Sequence, residues 1–232
     1  MDTINPIKIL YEDNHLLGII KPPNIPVQLD KSGDKDIVSY CKQYLKEKYE
    51  KPGNVYCGLV HRLDRPVGGV MIFGKTSKAT ARLAEQIREG KVRKFYRAIV
   101  QGDINNEYEH CLAQTGAKKG EWIKEVLWLL KDEVDRRAVL VIEGTVGAKL
   151  STLLWRYNQE FDNNHSEVEI ELLTGRYHQI RATFAEMGYP LKGDGKYGKP
   201  SQTKNLFLFS TEIRFLHPVT DEEIIIKAEP PW

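Results

Sequence analysis

Cysteine is scarce in this chain. Cys41, Cys57 and Cys111 are its three cysteines. The number is odd and no pair has C-x-x-C spacing, which argues against a disulfide framework or a thiolate zinc site and fits a reducing compartment. Long apolar runs are missing too: none approaches the roughly 20 residues of a membrane-spanning helix. The opening Met1-Asp2-Thr3-Ile4-Asn5 has neither the basic nor the apolar region of a secretory leader, so none is expected and the cytoplasm is the default. There is no internal repeat, low-complexity tract or clear linker. Charge of one sign is also lacking. The formal net charge is +2, so the total makes no case for a polyanionic partner.

The distribution of charge says more than the total. From Arg62 to Arg97 there are ten Lys/Arg against three Asp/Glu, a local +7 that leaves −5 for the remainder. A polyanion responds to such a patch rather than to the average, although a solvated charged face accounts for the run equally well. At 232 residues the chain suits one medium-sized domain or two very small ones, and residues 1–232 are read as a single domain.

The hydrophobic pattern predicts strands over Ile7–Tyr11 and Leu16–Ile20, the second halted by Pro22 and Pro23, which lack a backbone donor. A helix follows over about Asp36–Tyr49, with Ile37, Cys41, Tyr44 and Leu45 at helical spacing. A second begins with Ser77 as its cap, presents Ala79, Leu83 and Ile87 on one face, and closes at Gly90. Val92–Val100 alternates as a strand, and residues 101–122 read as a long polar connection. Four strands are expected over Val126–Leu130, Ala138–Ile142, Leu150–Tyr157 and Val168–Leu173. A helix over His178–Met187 is then closed by Gly188. Residues 189–205 read as loop, and Phe207–Phe215 and Ile224–Ala228 as final strands. Helices and strands mix without a βαβ rhythm, which argues for an α+β class.

Gly69–Thr76 fits G-x-x-x-x-G-K-[ST]. A phosphate loop needs a strand before its first glycine and flexible backbone between the two. Here Val70-Met71-Ile72-Phe73 is itself the strongest local strand signal, and a turn precedes it. The nucleotide-triphosphatase reading is therefore rejected.

The chemistry-bearing segment lies just upstream. In His61-Arg62-Leu63-Asp64-Arg65-Pro66 one carboxylate stands between two arginines in a turn. Fixed positive charge keeps an acid ionised at neutral pH, and a turn before an anchoring strand is a good place from which to act on a substrate. Taken alone, Asp64 could equally be a brace that stabilises its turn with Arg62 or Arg65. His61, His178 and His217 have no metal-ligand spacing, so His61 and His178 are read as hydrogen-bonding braces for nearby backbone.

Three segments together carry a resemblance. His61–Thr76 is similar to H-R-L-D, two variable positions, T-S-G, an apolar run and A-K-T. Lys94-Phe95-Tyr96-Arg97-Ala98-Ile99-Val100-Gln101-Gly102 resembles K-x-Y-x-A-x-V-x-G. Within Leu173–Arg181, Thr174–Arg181 resembles T-G-R-T/S-H-Q-I/L-R with Tyr177 where Thr or Ser is usual, and Gly188–Gly198 follows it as G-H-P-I-x-G-D-x-x-Y-G would. In this order they resemble the RluA-type pseudouridine synthases, as do an N-terminal stretch similar to L-Y-E-D-x-x-L-x-x-x-x-K-P and the His217-Pro218 pair.

The resemblance implies an α+β pseudouridine synthase fold: a mixed, mostly antiparallel central sheet flanked by helices and loops. It implies an isomerase that turns uridine in rRNA or tRNA into pseudouridine. Asp64 matches the catalytic aspartate, Tyr96 the tyrosine that packs on the uracil, and Arg181 the arginine that pairs with the acid. Arg62 matches the arginine that enters the RNA where the base leaves, and Ile180 the apolar residue on the base's other side. Each role is physically reasonable. A stacked base must be everted, a planar guanidinium can fill the gap, and an aromatic face contributes about 1–3 kcal/mol of stacking. Asp64 could attack the ribose or base covalently or remove a sugar proton, and the sequence leaves both open. No metal, flavin or nucleotide cofactor is implied, and no membrane or obligatory protein partner; a monomer is expected.

Val67-Gly68 stands where the family has T-S, which removes two hydroxyls, and Gly68-Gly69 is expected to loosen the backbone. No small N-terminal RNA-binding domain fits before Ile7, so recognition is expected from the catalytic domain. Lys192, Lys196, Lys199 and Lys204 could contact phosphates or form an exposed loop. Two other classes stay open: a uracil-releasing hydrolase, disfavoured because hydrolytic glycosidases commonly use two carboxylates, and a non-catalytic RNA-binding protein.

Overall fold

Seven consecutive buried residues, Gly68–Gly74, form the strand on which one half of the protein is built. A fully buried run of this length suits a strand covered on both faces. The computed structural model describes residues 6–198, 203 and 205–232. The leader reading on residues 1–5, and Lys199 and Lys204, lie outside the described residues.

In chain order the elements begin with β1 (Lys8–Glu12), β2 (Leu16–Lys21), α1 (Ile37–Lys48), β3 (Gly58–Leu59), β4 (Gly68–Gly74) and α2 (Ser77–Arg88). Next come β5 (Arg93–Gln101), α3 (Asn105–Thr115), β6 (Ile123–Asp132), β7 (Arg137–Val141) and β8 (Lys149–Asp162). The chain closes with β9 (His165–Leu172), α4 (Gln179–Glu186), β10 (Leu208–Leu216) and β11 (Glu223–Lys227). These elements fall into two compact units, one formed by residues 1–93 with Phe209–Trp232 and the other by Lys94–Leu208.

In the first unit β4 pairs antiparallel with β2, which pairs antiparallel with β1. On its other side β4 runs parallel to β10 through Phe209↔Gly68 and Ser210↔Gly69, and β11 completes a hairpin with β10. Helix α2 buries Ala79 and Leu83 against Leu16, Val70, Ile72, Ile213, Phe215 and Ile226. Its cap is Thr76 rather than the expected Ser77: the Thr76 hydroxyl accepts from the Ala79 N–H, and Ser77 already lies in the first turn.

In the second unit all ladders among the described residues are antiparallel, in the order β5-β9-β8-β6-β7. Trp155 of β8 packs edge-on against Phe184 of α4, ring centroids 5.9 Å apart, and against Tyr108 of α3 at 5.6 Å. The mixed, mostly antiparallel α+β expectation is met. The long connection expected over 101–122 is not, because it contains α3. That helix anchors itself through Tyr108 and Leu112 alone and has no side-chain cap at its start. Two buried residues one turn apart leave little periodic signal.

The triphosphatase rejection is supported by geometry. Gly69–Gly74 is strand backbone laddered to β2, and the Lys75 ammonium is tied to Glu12 at 2.9 Å, to the Tyr49 hydroxyl at 3.0 Å and to the Asp13 carbonyl.

Candidate active site

The Asp64 turn, in the first unit, is pinned from below. Lys21 ends β2 at 0% exposure, and its ammonium donates to the carbonyls of Pro22 (3.0 Å), Arg65 (3.0 Å) and Val67 (2.7 Å). Three acceptors match the three protons of an ammonium. Burial pulls its pKa down from 10.5 to about 7, and the Asp64 carboxylate opposes that pull. The turn is closed by Val67 N–H donating to the Asp64 carbonyl at 2.9 Å. Asp64 is half-buried and Arg62 exposed.

Arg65 does not serve Asp64. Its guanidinium reaches the Asn24 carbonyl (3.1 Å), the Ser32 hydroxyl (3.1 Å) and the Asp34 carboxylate. The buried cation in the field of Asp64 within this unit is thus Lys21, which the sequence reading did not single out. His61 Nε2 accepts from the Ile72 N–H at 3.2 Å, a brace of the expected kind.

The expected loosening at Gly68-Gly69 does not occur. Both residues are held in ladders, Gly68 to Phe209 and Gly69 to Ser210 and Lys21. Gly69 sits at φ +124°, and a Cβ there would meet the Ser210 carbonyl oxygen at 2.3 Å. Glycine is what lets β10 approach so closely.

The second unit supplies the other candidates. Tyr96 is buried (6% exposed) in β5, opposite Ile170 of β9. Gln179 clamps the loop that enters α4. Its carbonyl oxygen accepts from the Thr174 hydroxyl and the Arg176 N–H, both at 2.9 Å, and its amide donates to the Thr152 carbonyl at 3.0 Å. Ile180 and Arg181 are buried on α4.

Arg181 makes a bidentate pair with Asp194, Nε to Oδ2 and Nη2 to Oδ1, both 2.7 Å. The Asp194 side chain is 0% exposed and also accepts at Oδ1 from the N–H groups of Lys196 (3.0 Å) and Tyr197 (3.3 Å). A fork-to-fork pair fixes the guanidinium plane. Gly193 makes the turn possible at φ +77°, where a Cβ would strike the Asn205 carbonyl at 1.9 Å. Asp194 and Tyr197 were legible only as motif letters; the available signal was an acid flanked by two glycines, Gly193 and Gly195, shortly after a helix carrying an inward arginine.

His178 precedes α4 in the left-handed region, φ +51°. Its Nε2 lies 3.1 Å from Arg181 Nη1 and its Nδ1 3.0 Å from the Tyr197 hydroxyl. A guanidinium only donates, so Nε2 must accept and the ring proton sits on Nδ1. The Tyr197 oxygen also receives the Ala138 N–H at 2.6 Å. Burial, reinforced by the Arg181 charge, drives the His178 pKa from 6.5 to about 3, and burial lifts Tyr197 to about 12. The brace expected of His178 is thus directed at Tyr197 and Arg181.

A pH effect follows. Below pH 6.5 the unfolded chain protonates this ring, whereas the folded chain refuses the proton until about pH 3. Stability must therefore fall as pH falls through that window, by roughly 3 kcal/mol from this group by pH 4. His178→Asn tolerates the left-handed backbone and does not titrate. Urea unfolding from pH 7 to pH 4 should show a shallower decline in the variant, and parallel declines would contradict the buried neutral ring.

Lys192 is paired with Asp162 at 3.0 Å and stands over the Phe161 ring, and Lys196 donates to the Arg136 carbonyl at 3.0 Å. Both have internal partners, so the phosphate-contact reading gains no support from them. Among the described residues no three of His, Cys, Asp and Glu gather as a metal site, and no helix is long and apolar enough to cross a membrane.

Residues 15–186 match the family model described as RNA pseudouridylate synthase. Ribosomal large subunit pseudouridine synthase C of Buchnera aphidicola is 32% identical over 230 residues, which cover 95% of this chain and 66% of that protein. Dual-specificity RNA pseudouridine synthase RluA of Haemophilus influenzae is 29% identical over 96% of this chain and 93% of its own length. The solved structure of human RNA pseudouridylate synthase domain containing 4 superposes with a TM-score of 0.73 at 20% identity, covering 96% of this chain and 88% of that one. At that identity the likeness speaks for the fold.

Proposed function

Because the chain belongs to the RNA pseudouridylate synthase family, we propose that it isomerises uridine to pseudouridine within RNA, with Asp64 as the catalytic carboxylate. The observation that carries this reading is the setting of Asp64. It is a half-buried acid on a turn whose backbone is held by two bonds of buried Lys21, to the carbonyls of Arg65 and Val67. A reacting group held by rigid backbone meets the geometric demand of catalysis.

Tyr96, Arg181, Arg62 and Ile180 take the roles the resemblance implies. His61 and His178 act as braces around them. The family model runs through both compact units, so residues 1–232 are read as one catalytic domain working as a cytoplasmic monomer. The substrate class is rRNA or tRNA. One relative above is named for the large ribosomal subunit and another for dual specificity.

The reaction breaks the N-glycosidic bond, turns the uracil and joins its C5 to the same ribose carbon. Atoms and electrons balance within the nucleotide, so no redox partner is called for. The hydrogen on C5 is expelled as the new bond settles. RNA labelled with tritium at uridine C5 should therefore lose label to water on incubation with the protein, with no free uracil. Running tRNA and rRNA pools separately identifies the substrate class. Free uracil would support a hydrolase instead, and RNA binding without turnover a non-catalytic binder.

Tyr96→Phe keeps a flat face but removes a phenol able to move a proton. It should reduce turnover by roughly 10²-fold and leave RNA affinity within about 3-fold. A loss confined to affinity would reassign Tyr96 to binding alone.

A further inference from the structure

Lys94 begins the second unit on β5, two residues before Tyr96. Side chains two apart in a strand point to the same face, about 6.5 Å from each other. Its ammonium reaches the loop that enters α4, 3.9 Å from where a Gly175 Cβ would stand. That loop is itself fixed by the Gln179 clamp.

Lys94 is half-buried, and among the described residues no acid or carbonyl is bonded to its ammonium. Other cations of the chain differ. Lys21, Lys75, Lys192, Lys196 and Arg181 all have partners. Burial alone lowers the Lys94 pKa, with no opposing charge. An ammonium partly stripped of water and given nothing in exchange costs stability, and it attracts an arriving anion more strongly than a fully solvated one would.

Resting on the reading that this protein acts on RNA, we propose that Lys94 is a substrate-binding residue, its ammonium taking a phosphate oxygen of the nucleotide whose base lies on Tyr96. A nucleotide's phosphate lies one sugar away from its base, which suits two neighbouring positions on one strand face. The bare Gly175 turn leaves room for the phosphate beside the ammonium.

The test uses the full chain and pooled unmodified tRNA and rRNA transcripts. Lys94→Met keeps the stem and removes the charge; Lys94→Arg keeps the charge. Lys94→Met should weaken RNA binding by roughly 5- to 20-fold and lower the slope of log affinity against log salt by about one. Lys94→Arg should stay within about 3-fold of the parent. The Met variant should melt no lower than the parent, since a half-buried charge with no bonded acid has been removed. In the unmutated protein, RNA should shield Lys94 from an amine-acylating reagent, a readout that needs no variant.

An unchanged salt slope, a lowered melting temperature in Lys94→Met, or acylation unaffected by RNA would each overturn the assignment. Absence of tritium release by the unmutated protein would strike the catalytic reading. Normal release together with an unchanged slope would strike the Lys94 assignment alone.

Discussion

Asp64→Asn should abolish tritium release from C5-labelled RNA, with a fall of at least about 10³-fold and RNA affinity within roughly 3-fold. Asparagine matches aspartate in shape but carries no charge, so it can neither attack as a carboxylate nor take a proton. The turn should survive the change, because Lys21 holds it through backbone carbonyls that the substitution does not alter. A second effect should accompany the loss. Asp64 opposes the downward pull of burial on the Lys21 pKa, so removing its charge leaves that ammonium less favoured and should lower stability slightly. Single-turnover release measured with binding separates the two effects. Undiminished release by Asp64→Asn would refute the assignment.

The second large effect is expected on folding. Asp194→Ala leaves the Arg181 guanidinium buried without its bidentate partner and strands the Lys196 and Tyr197 N–H groups. Breaking one side of a buried pair typically costs about 3–5 kcal/mol, much of it the penalty of the charge left behind. Arg181→Met strands the carboxylate instead and should cost a similar amount. The double variant should be less destabilised than the sum of the singles, since each single leaves one charge without its bidentate partner and the double does not. Urea unfolding of the four proteins measures this coupling. Single losses under about 1 kcal/mol would mean that the pair does not hold α4 in place.

Much of this protein was readable before its coordinates. β4 announced itself because every residue from Val70 to Phe73 is apolar, and α2 because Ala79 and Leu83 recur at helical spacing. The Asp64 turn and the α4 segment were found through motif letters. What escaped notice falls into two physical kinds. Helix α3 is held by two anchors, Tyr108 and Leu112, and is otherwise polar, so its local pattern resembles a loop. Lys21 and Tyr197 act through contacts distant in sequence, Lys21 reaching Val67 across 46 positions and Tyr197 reaching Ala138 across 59. No local window registers such pairings. The glycines misled in the opposite direction. Gly68 and Gly69 look like slack, yet the approach of β10 makes them among the most constrained backbone in their unit.

The fixed tautomer of His178 bears on proton traffic. With Nδ1–H aimed at Tyr197 and Nε2 facing a group that can only donate, the imidazole has no empty seat for an incoming proton and no ready exit for the one it holds. A relay through it would require the ring to flip against the stacked Tyr177 plane, 3.9 Å away. The histidine beside the arginine is therefore an insulator rather than a proton relay.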